Sequence, residues 1–150
     1  MNNISTEIEV SFLQREDLRG LKELYEDAFG SETDLDKMFE IFNIIEKKGN
    51  HIILCAKENE KVVGSVLGVI CHELIGKCTP FLVIEDVAVL TSHRRLGIAK
   101  KLILAMEREA KSNNCNMILF VSSAHREVAH KLYESLGYGI DQVNGYRKRL

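Results

Sequence analysis

The chain has 150 residues, 45% of them apolar and 28% charged, with a formal net charge of -2 at pH 7. That length suits one domain around one buried core, and the composition excludes disordered and fibrous classes. The near-neutral balance gives no electrostatic reason to expect nucleic acid as a partner.

In chain order, Ile8, Val10 and Phe12 alternate with polar residues, the pattern of a strand with one buried face. Leu18, Leu21, Leu24, Tyr25, Ala28 and Phe29 recur at helical spacing, and Gly30 is placed to cap the helix they form. Leu35, Met38, Phe39, Phe42 and Ile45 repeat the pattern up to Gly49. Residues 51–57 and 61–71 are rich in β-branched and apolar side chains, and Glu58-Asn59-Glu60 between them suits a hairpin turn.

Residues 81–89 read as the next strand. From Gly97 onward Ile98, Leu102, Met106 and Ala110 fall on one helical face, opposite Lys100, Lys101, Glu107, Arg108 and Lys111; Leu104 is a misfit. The apolar run 117–121 predicts a fully buried strand, and Val128, Ala129, Leu132 and Leu136 a last helix closed by Gly137. Two terminal strands, 138–142 and 146–150, are expected around the turn-prone pair Asn144-Gly145. The order β-α-α-β-β-β-α-β-α-β-β describes an α/β chain with one mixed sheet and helices on both faces. No repeat, low-complexity stretch or linker divides it, so a single domain over residues 1–150 is expected.

Cys55, Cys71, Cys78 and Cys115 form no Cys-x-x-Cys pair and have no histidine at zinc-ligand spacing, so reduced, mostly buried thiols and no metal are expected. Residues 1–10 lack a basic start followed by an apolar run, and the apolar stretch 62–70 is too short to span a bilayer. A cytoplasmic protein without membrane contact is the corresponding expectation.

The segment Val87-Ala88-Val89-Leu90-Thr91-Ser92-His93-Arg94-Arg95-Leu96-Gly97-Ile98-Ala99-Lys100 runs from a strand through a short polar loop into a helix. The first amides of a helix have no intrahelical partners and the dipole adds positive potential, so this geometry can hold a pyrophosphate on backbone N–H groups. Gly97 and Ala99 lack bulk that would keep phosphate oxygens away, while Arg94, Arg95 and Lys100 add charge around them. No third glycine follows Gly97-x-Ala99 and no Gly-Lys-Ser/Thr closes the loop, which weakens dinucleotide and P-loop readings. The plain alternative is a charged helix start that binds nothing.

Arg94-x-x-Gly97-x-Ala99 after a buried strand resembles the coenzyme A motif of the GNAT N-acetyltransferase superfamily. A second segment, Ala129-His130-Lys131-Leu132-Tyr133-Glu134-Ser135-Leu136-Gly137-Tyr138, is similar to that superfamily's Ala-x-x-x-Tyr-x-x-x-Gly-Phe/Tyr stretch. With Ile84-Glu85-Asp86-Val87 upstream, the resemblance covers residues 81–138, and residues 1–50 agree only in pattern. Arg126 departs from it, standing where many members carry an asparagine that contacts the coenzyme. An Arg followed by Ala-His-x-x-Tyr resembles bacterial members acting on small amines such as aminoalkylphosphonates, and Ile-Glu-Asp-Val occurs in glucosamine-phosphate acetyltransferases.

The resemblance implies acetyl-CoA as cosubstrate and an amine as acceptor. It implies a splayed strand at residues 85–89, where Val87, Ala88 and Val89 offer main-chain groups to the pantetheine arm and an N–H near Val87 faces the developing oxyanion. Arg94, Arg95, Leu96, Gly97, Ile98, Ala99 and Lys100 would then surround the pyrophosphate, with Arg126 and Tyr133 also toward the coenzyme. Tyr133 is the family-like general acid that protonates the departing thiolate, with a core aromatic as its plain alternative.

Glu85, ahead of the splayed strand, is chosen as the base for the substrate ammonium. Asp86 points to the opposite face unless a bulge exchanges the two. His130 and His125 are further candidates to act as base or to order an anionic group on the acceptor, and Phe29, Phe39 and Phe42 are candidate walls of its pocket. Direct transfer ranks above a covalent acetyl-cysteine, because no cysteine has a basic partner in sequence. The acceptor is expected to be a small primary amine of amino sugar, aminophosphonate, polyamine or amino acid type. A protein or peptide amine is the alternative, and an idle coenzyme A binding or sensing module a third reading. Whether the chain forms a homodimer stays open.

Overall fold

In the computed structural model, β1 (Glu9–Phe12), β2 (His51–Glu58), β3 (Lys61–Cys71) and β4 (Phe81–Val89) form an antiparallel meander, and β5 (Ile118–Leu119) lies parallel to β4. The structure describes residues 6–150, so the reading of residues 1–10 falls in part outside the described residues. The helices are α1 (Leu18–Phe29), α2 (Leu35–Lys48), α3 (Ile98–Ser112) and α4 (Glu127–Ser135). This is the mixed sheet with helices that the sequence pattern implies.

Local chemistry fixes the element ends. Asp17 accepts the Gln14 N–H at 2.8 Å ahead of α1, and Asp34 caps α2 by accepting the Lys37 N–H at 3.0 Å. Gly30 and Gly49 end α1 and α2 in the left-handed conformation. Asn59 and Glu60 both have positive φ, 48° and 64°, so the hairpin between β2 and β3 closes in a two-residue turn.

The sheet is covered on both faces, and β3 shows how. A Cβ added at Gly64 would lie 2.8 Å from Ile98 and 3.1 Å from Leu102, so α3 packs directly on the bare backbone there. Successive side chains of a strand point to opposite faces. Ser65 therefore faces the other way, toward α1, where it influences the Tyr25 phenol. Ile98, Leu102, Ile103, Met106 and Ala110 are buried along α3, while Leu104 is half-buried, as its misfit to the periodicity implies.

The chain packs as two compact units, Met1–Leu119 and Phe120–Leu150. The run 117–121 is not the continuous buried strand expected. Only Ile118 and Leu119 pair, with Leu82 and Val83, and Met117 and Val121 are 50% and 66% exposed. An apolar run favours burial, but a ladder also needs a partner in register, and the pairing with β4 stops after Leu119 although β4 itself continues to Val89.

In the second unit, Phe120 packs edge-on against Tyr133 at 4.6 Å and Tyr138 at 5.0 Å between ring centroids, and Gly137 with φ 92° follows α4. The two terminal strands expected at 138–142 and 146–150 are not formed, and Ile140 and Tyr146 are 91% and 93% exposed. A turn-prone pair such as Asn144-Gly145 can mark a hairpin, yet a two-stranded hairpin without a third strand or a covering helix is marginal in water.

Candidate active site

The site begins with a fault in β4. Leu67 pairs with Glu85 and Ser65 with Ala88, so Asp86 and Val87 together oppose one residue, Val66. Asp86 accommodates the extra residue by taking φ 51°, in the left-handed region where short polar side chains are tolerated best. The strict alternation that sets Asp86 opposite Glu85 is therefore broken, and the bulge weighed as an alternative in the sequence is present. Both carboxylates are exposed at the surface yet partly stripped of water by their neighbours. Desolvation, and then the charge of Asp86, hold the Glu85 carboxyl above the usual carboxylate range; desolvation alone raises Asp86.

β5 pairs with β4 only at Leu82 and Val83. From Ile84 to Val89 one edge of β4 therefore has no strand partner among the described residues. Val87 and Val89 are half-buried, and Ala88 is packed in the core, so what Ala88 can present to a ligand is its backbone.

Two residues beside the bulge escaped the sequence analysis as candidates. Tyr25, on α1, is half-buried; desolvation and the Asp86 charge push its phenol up to about 12, with Ser65 lowering it in part. Ser65 Oγ is fully buried and has no hydrogen-bond partner among the described residues. The two hydroxyls are thus close enough to interact but stand outside bonding geometry. Helical spacing places Tyr25 on a buried face, but nothing in that spacing says that its phenol feels the charge of a carboxylate from another element.

Leu90 leads from β4 into a single 3-10 turn, Thr91–His93, and then the loop to α3. Arg95 and Gly97 have positive φ, 64° and 75°, and the first bond of the helix runs from the Lys101 N–H to Gly97 O at 3.0 Å. The amides of Ile98, Ala99 and Lys100 thus have no partner among the described residues. Alternating backbone hand of this kind makes a concave cluster of N–H groups suited to an anion. Arg94, Arg95 and Lys100 are exposed around it, Leu96 is 61% exposed, and Ile98 anchors the turn in the core. Asp27, on α1, accepts both the Thr91 N–H at 2.7 Å and the Thr91 hydroxyl at 2.6 Å. His93 bonds Glu58 at 3.1 Å through Nε2 and Ser92 at 2.7 Å through Nδ1.

In the second unit, Tyr133 is 8% exposed, and burial raises its phenol above the usual range while Arg126, preceding α4, offsets part of the shift. The phenol is thus a proton donor, not a phenolate, at neutral pH. His130 Nε2 lies 3.2 Å from Ser122 Oγ, and His125 is exposed.

Of the three aromatic candidates, Phe42 is buried in the core, Phe39 lies under the Arg15 guanidinium at 4.8 Å, and Phe29 packs against Tyr25 at 5.5 Å. All four cysteines are free, but only Cys55 is buried; Cys71 and Cys115 are half-buried and Cys78 is exposed, against the expectation of mostly buried thiols. Hydrophobic character alone placed them inside, whereas Cys78 stands in the exposed connection before β4. Among the described residues no group of His, Cys, Asp and Glu could hold a metal ion, and no helix is long and apolar enough to cross a membrane.

Comparison with known proteins agrees with this geometry. The family model of the acetyltransferase (GNAT) family matches residues 18–138. Aminoglycoside N(6')-acetyltransferase type 1 of Salmonella typhimurium is 31% identical over 81 residues, which is 52% of this chain and 56% of that protein, so the match spans about half the length of the curated relative. Among solved structures, a putative acetyltransferase from Agrobacterium tumefaciens superposes with a TM-score of 0.88 at 26% identity, covering 95% of this chain and 100% of that one. An aminoglycoside N-acetyltransferase in complex with CoA superposes with a TM-score of 0.81 at 21% identity over 100% of both chains. The bulged strand, its free edge and the open amides at the head of α3 are thus the local structure of a chain that belongs to the acetyltransferase (GNAT) family.

Proposed function

We propose that residues 1–150 act as one N-acetyltransferase domain that moves the acetyl group of acetyl-CoA to a primary amine of a small, multiply cationic molecule of the amino sugar class. The observation that carries this reading is the bulge at Asp86, which puts two carboxylates next to a free strand edge that leads into the amide cluster at Ile98. Each part answers one chemical need. The open amides of Ile98, Ala99 and Lys100, with Arg94, Arg95 and Lys100 side chains, suit a diphosphate. The backbone of Val87, Ala88 and Val89 suits an extended amide-containing arm laid along it, as a further strand would lie. Glu85 and Asp86 suit an ammonium group, and a relative that shares 31% identity is named for aminoglycoside acetylation.

Acetyl-CoA supplies the activated acetyl group. Transfer then needs a neutral amine, a polarised carbonyl and a proton for the leaving sulfur. We assign the first to Glu85, which takes a proton from the acceptor ammonium directly or through water; its raised pKa makes it a better base than an ordinary glutamate. The second falls to a backbone N–H near Val87. The third falls to Tyr133, whose buried phenol stays protonated at neutral pH. Arg126 tempers that phenol.

Incubation of the protein with acetyl-CoA and a panel of amino sugars, polyamines, aminophosphonates and peptides, followed by mass spectrometry, tests the proposal. Acetylated product is expected from amines carrying two or more cationic groups. Product from peptides with none from any small amine would overturn the substrate class.

A further inference from the structure

The loop that carries the open amides is held from two sides by acidic residues that the family motif does not include. Asp27 Oδ2 accepts two bonds from Thr91, at 2.7 Å from its N–H and 2.6 Å from its hydroxyl, across 64 residues of sequence. Glu58, at the end of β2, meets His93 Nε2 at 3.1 Å, and His93 in turn holds Ser92. Between these anchors and the head of α3, the loop holds Arg95 in the left-handed region, a conformation that a non-glycine residue samples poorly, ahead of Gly97, which adopts it freely. Loop ordering at the moment of binding costs affinity, and a loop ordered beforehand avoids that cost.

Building on the proposed function, we infer that Asp27 is a positioning residue for coenzyme binding: through Thr91 it fixes the turn that precedes the amide cluster. Glu58 acts likewise through His93. Asp27 is not needed for its charge toward the coenzyme, since an anion beside Arg94 opposes a phosphate. Asp27 indeed feels Arg94 and Lys61, and its carboxyl is held below the usual range first by the Thr91 hydroxyl and then by the Thr91 N–H. The tether also joins two functions on one helix. Tyr25, which senses Asp86 at the bulge, stands two residues before Asp27 on α1. Displacement of the end of α1 would therefore reach both the amine side and the coenzyme side of the site.

Calorimetric titration of CoA into the wild-type chain, Asp27→Ala, Asp27→Asn, Thr91→Val and the Asp27→Ala/Thr91→Val double variant, with thermal melts and initial rates alongside, tests the inference. Asp27→Ala is expected to weaken CoA about fivefold and to raise KM for acetyl-CoA similarly, with less change in kcat. Asp27→Asn should stay within about twofold of wild type, because one amide oxygen can accept both Thr91 bonds and the opposing charge is gone. The double variant should bind no more weakly than Asp27→Ala, since both changes remove one interaction. Unchanged CoA affinity in a folded Asp27→Ala chain overturns the inference, as does an Asn variant as weak as the Ala one. If the wild-type chain itself takes up no CoA, the proposed function falls and the inference with it; binding by wild type with no response to Asp27 sinks the inference alone.

Discussion

Asp86 stands in the left-handed backbone region beside Glu85 and adds its charge to the desolvation that holds the Glu85 carboxyl high. The pair therefore carries a cost to the fold, which the base role proposed for Glu85 would turn to use. A carboxylate whose folded pKa is raised adds stability only while it is protonated, so the contribution is full below the unfolded value and lost as pH rises through the folded one. Glu85→Gln should accordingly raise the melting temperature at pH 7, and that gain should vanish as pH falls below the ordinary carboxylate range. The same variant should lose acetyl transfer. Asp86→Asn should lower the Glu85 pKa and move the acid limb of the kcat/KM profile to lower pH; a limb that stays in place would remove the coupling between them.

Tyr133→Phe should lower kcat about 100-fold while KM for acetyl-CoA changes little, because the role proposed for the lost hydroxyl is on the leaving group and the ring stays packed against Phe120. Initial rates at saturating acetyl-CoA measure it. An unchanged kcat would take the phenol out of the reaction.

Lys57 Nζ lies 2.7 Å from Asp17 Oδ1, and the other oxygen of Asp17 accepts the Gln14 N–H. The bond to Asp17 outweighs the desolvation of Lys57 and raises its pKa, so this part of stability is present at neutral pH and is lost only as pH climbs through that value. Asp17→Ala leaves the half-buried Lys57 ammonium and the Gln14 amide without this partner and should cost about 2 kcal/mol in chemical denaturation. Nearby, burial first and Asp17 second push the Cys55 thiol up to about 12. Thiol reagents should therefore modify exposed Cys78 in the folded protein and reach Cys55 only on unfolding.

Gly64→Val should destabilise the fold by about 2 kcal/mol, since even a Cβ there meets Ile98 at 2.8 Å and the Ala88 carbonyl oxygen at 3.3 Å. Gly64 lies opposite Val89, so α3 would be lifted at the end that carries the amide cluster. Denaturation and CoA titration on the same sample should show the two losses together.

What the residues disclosed, and what they did not, follows from the range of each signal. Helix ends at Gly30, Gly49 and Gly97 and the hairpin at Asn59 were legible because cap and turn chemistry is local. The open amides ahead of Lys101 were legible for the same reason. The bulge at Asp86 could be weighed only as an alternative, since it is a mismatch of count between β3 and β4, visible only once Leu67 and Ser65 are paired. Tyr25 and Asp27 were missed as site residues because their meaning comes from Asp86 and Thr91, far away in sequence. The terminal strands were expected around the turn-prone pair Asn144-Gly145, and a turn signal cannot report whether a neighbouring edge exists to receive them.

The most direct measurement is the initial rate of thiol release from acetyl-CoA as an amino sugar or polyamine is titrated into the reaction. A rate that climbs from near zero and saturates with amine, with one acetyl group gained by the amine per thiol released, is the predicted result. Thiol release that is the same with and without every amine would contradict the account.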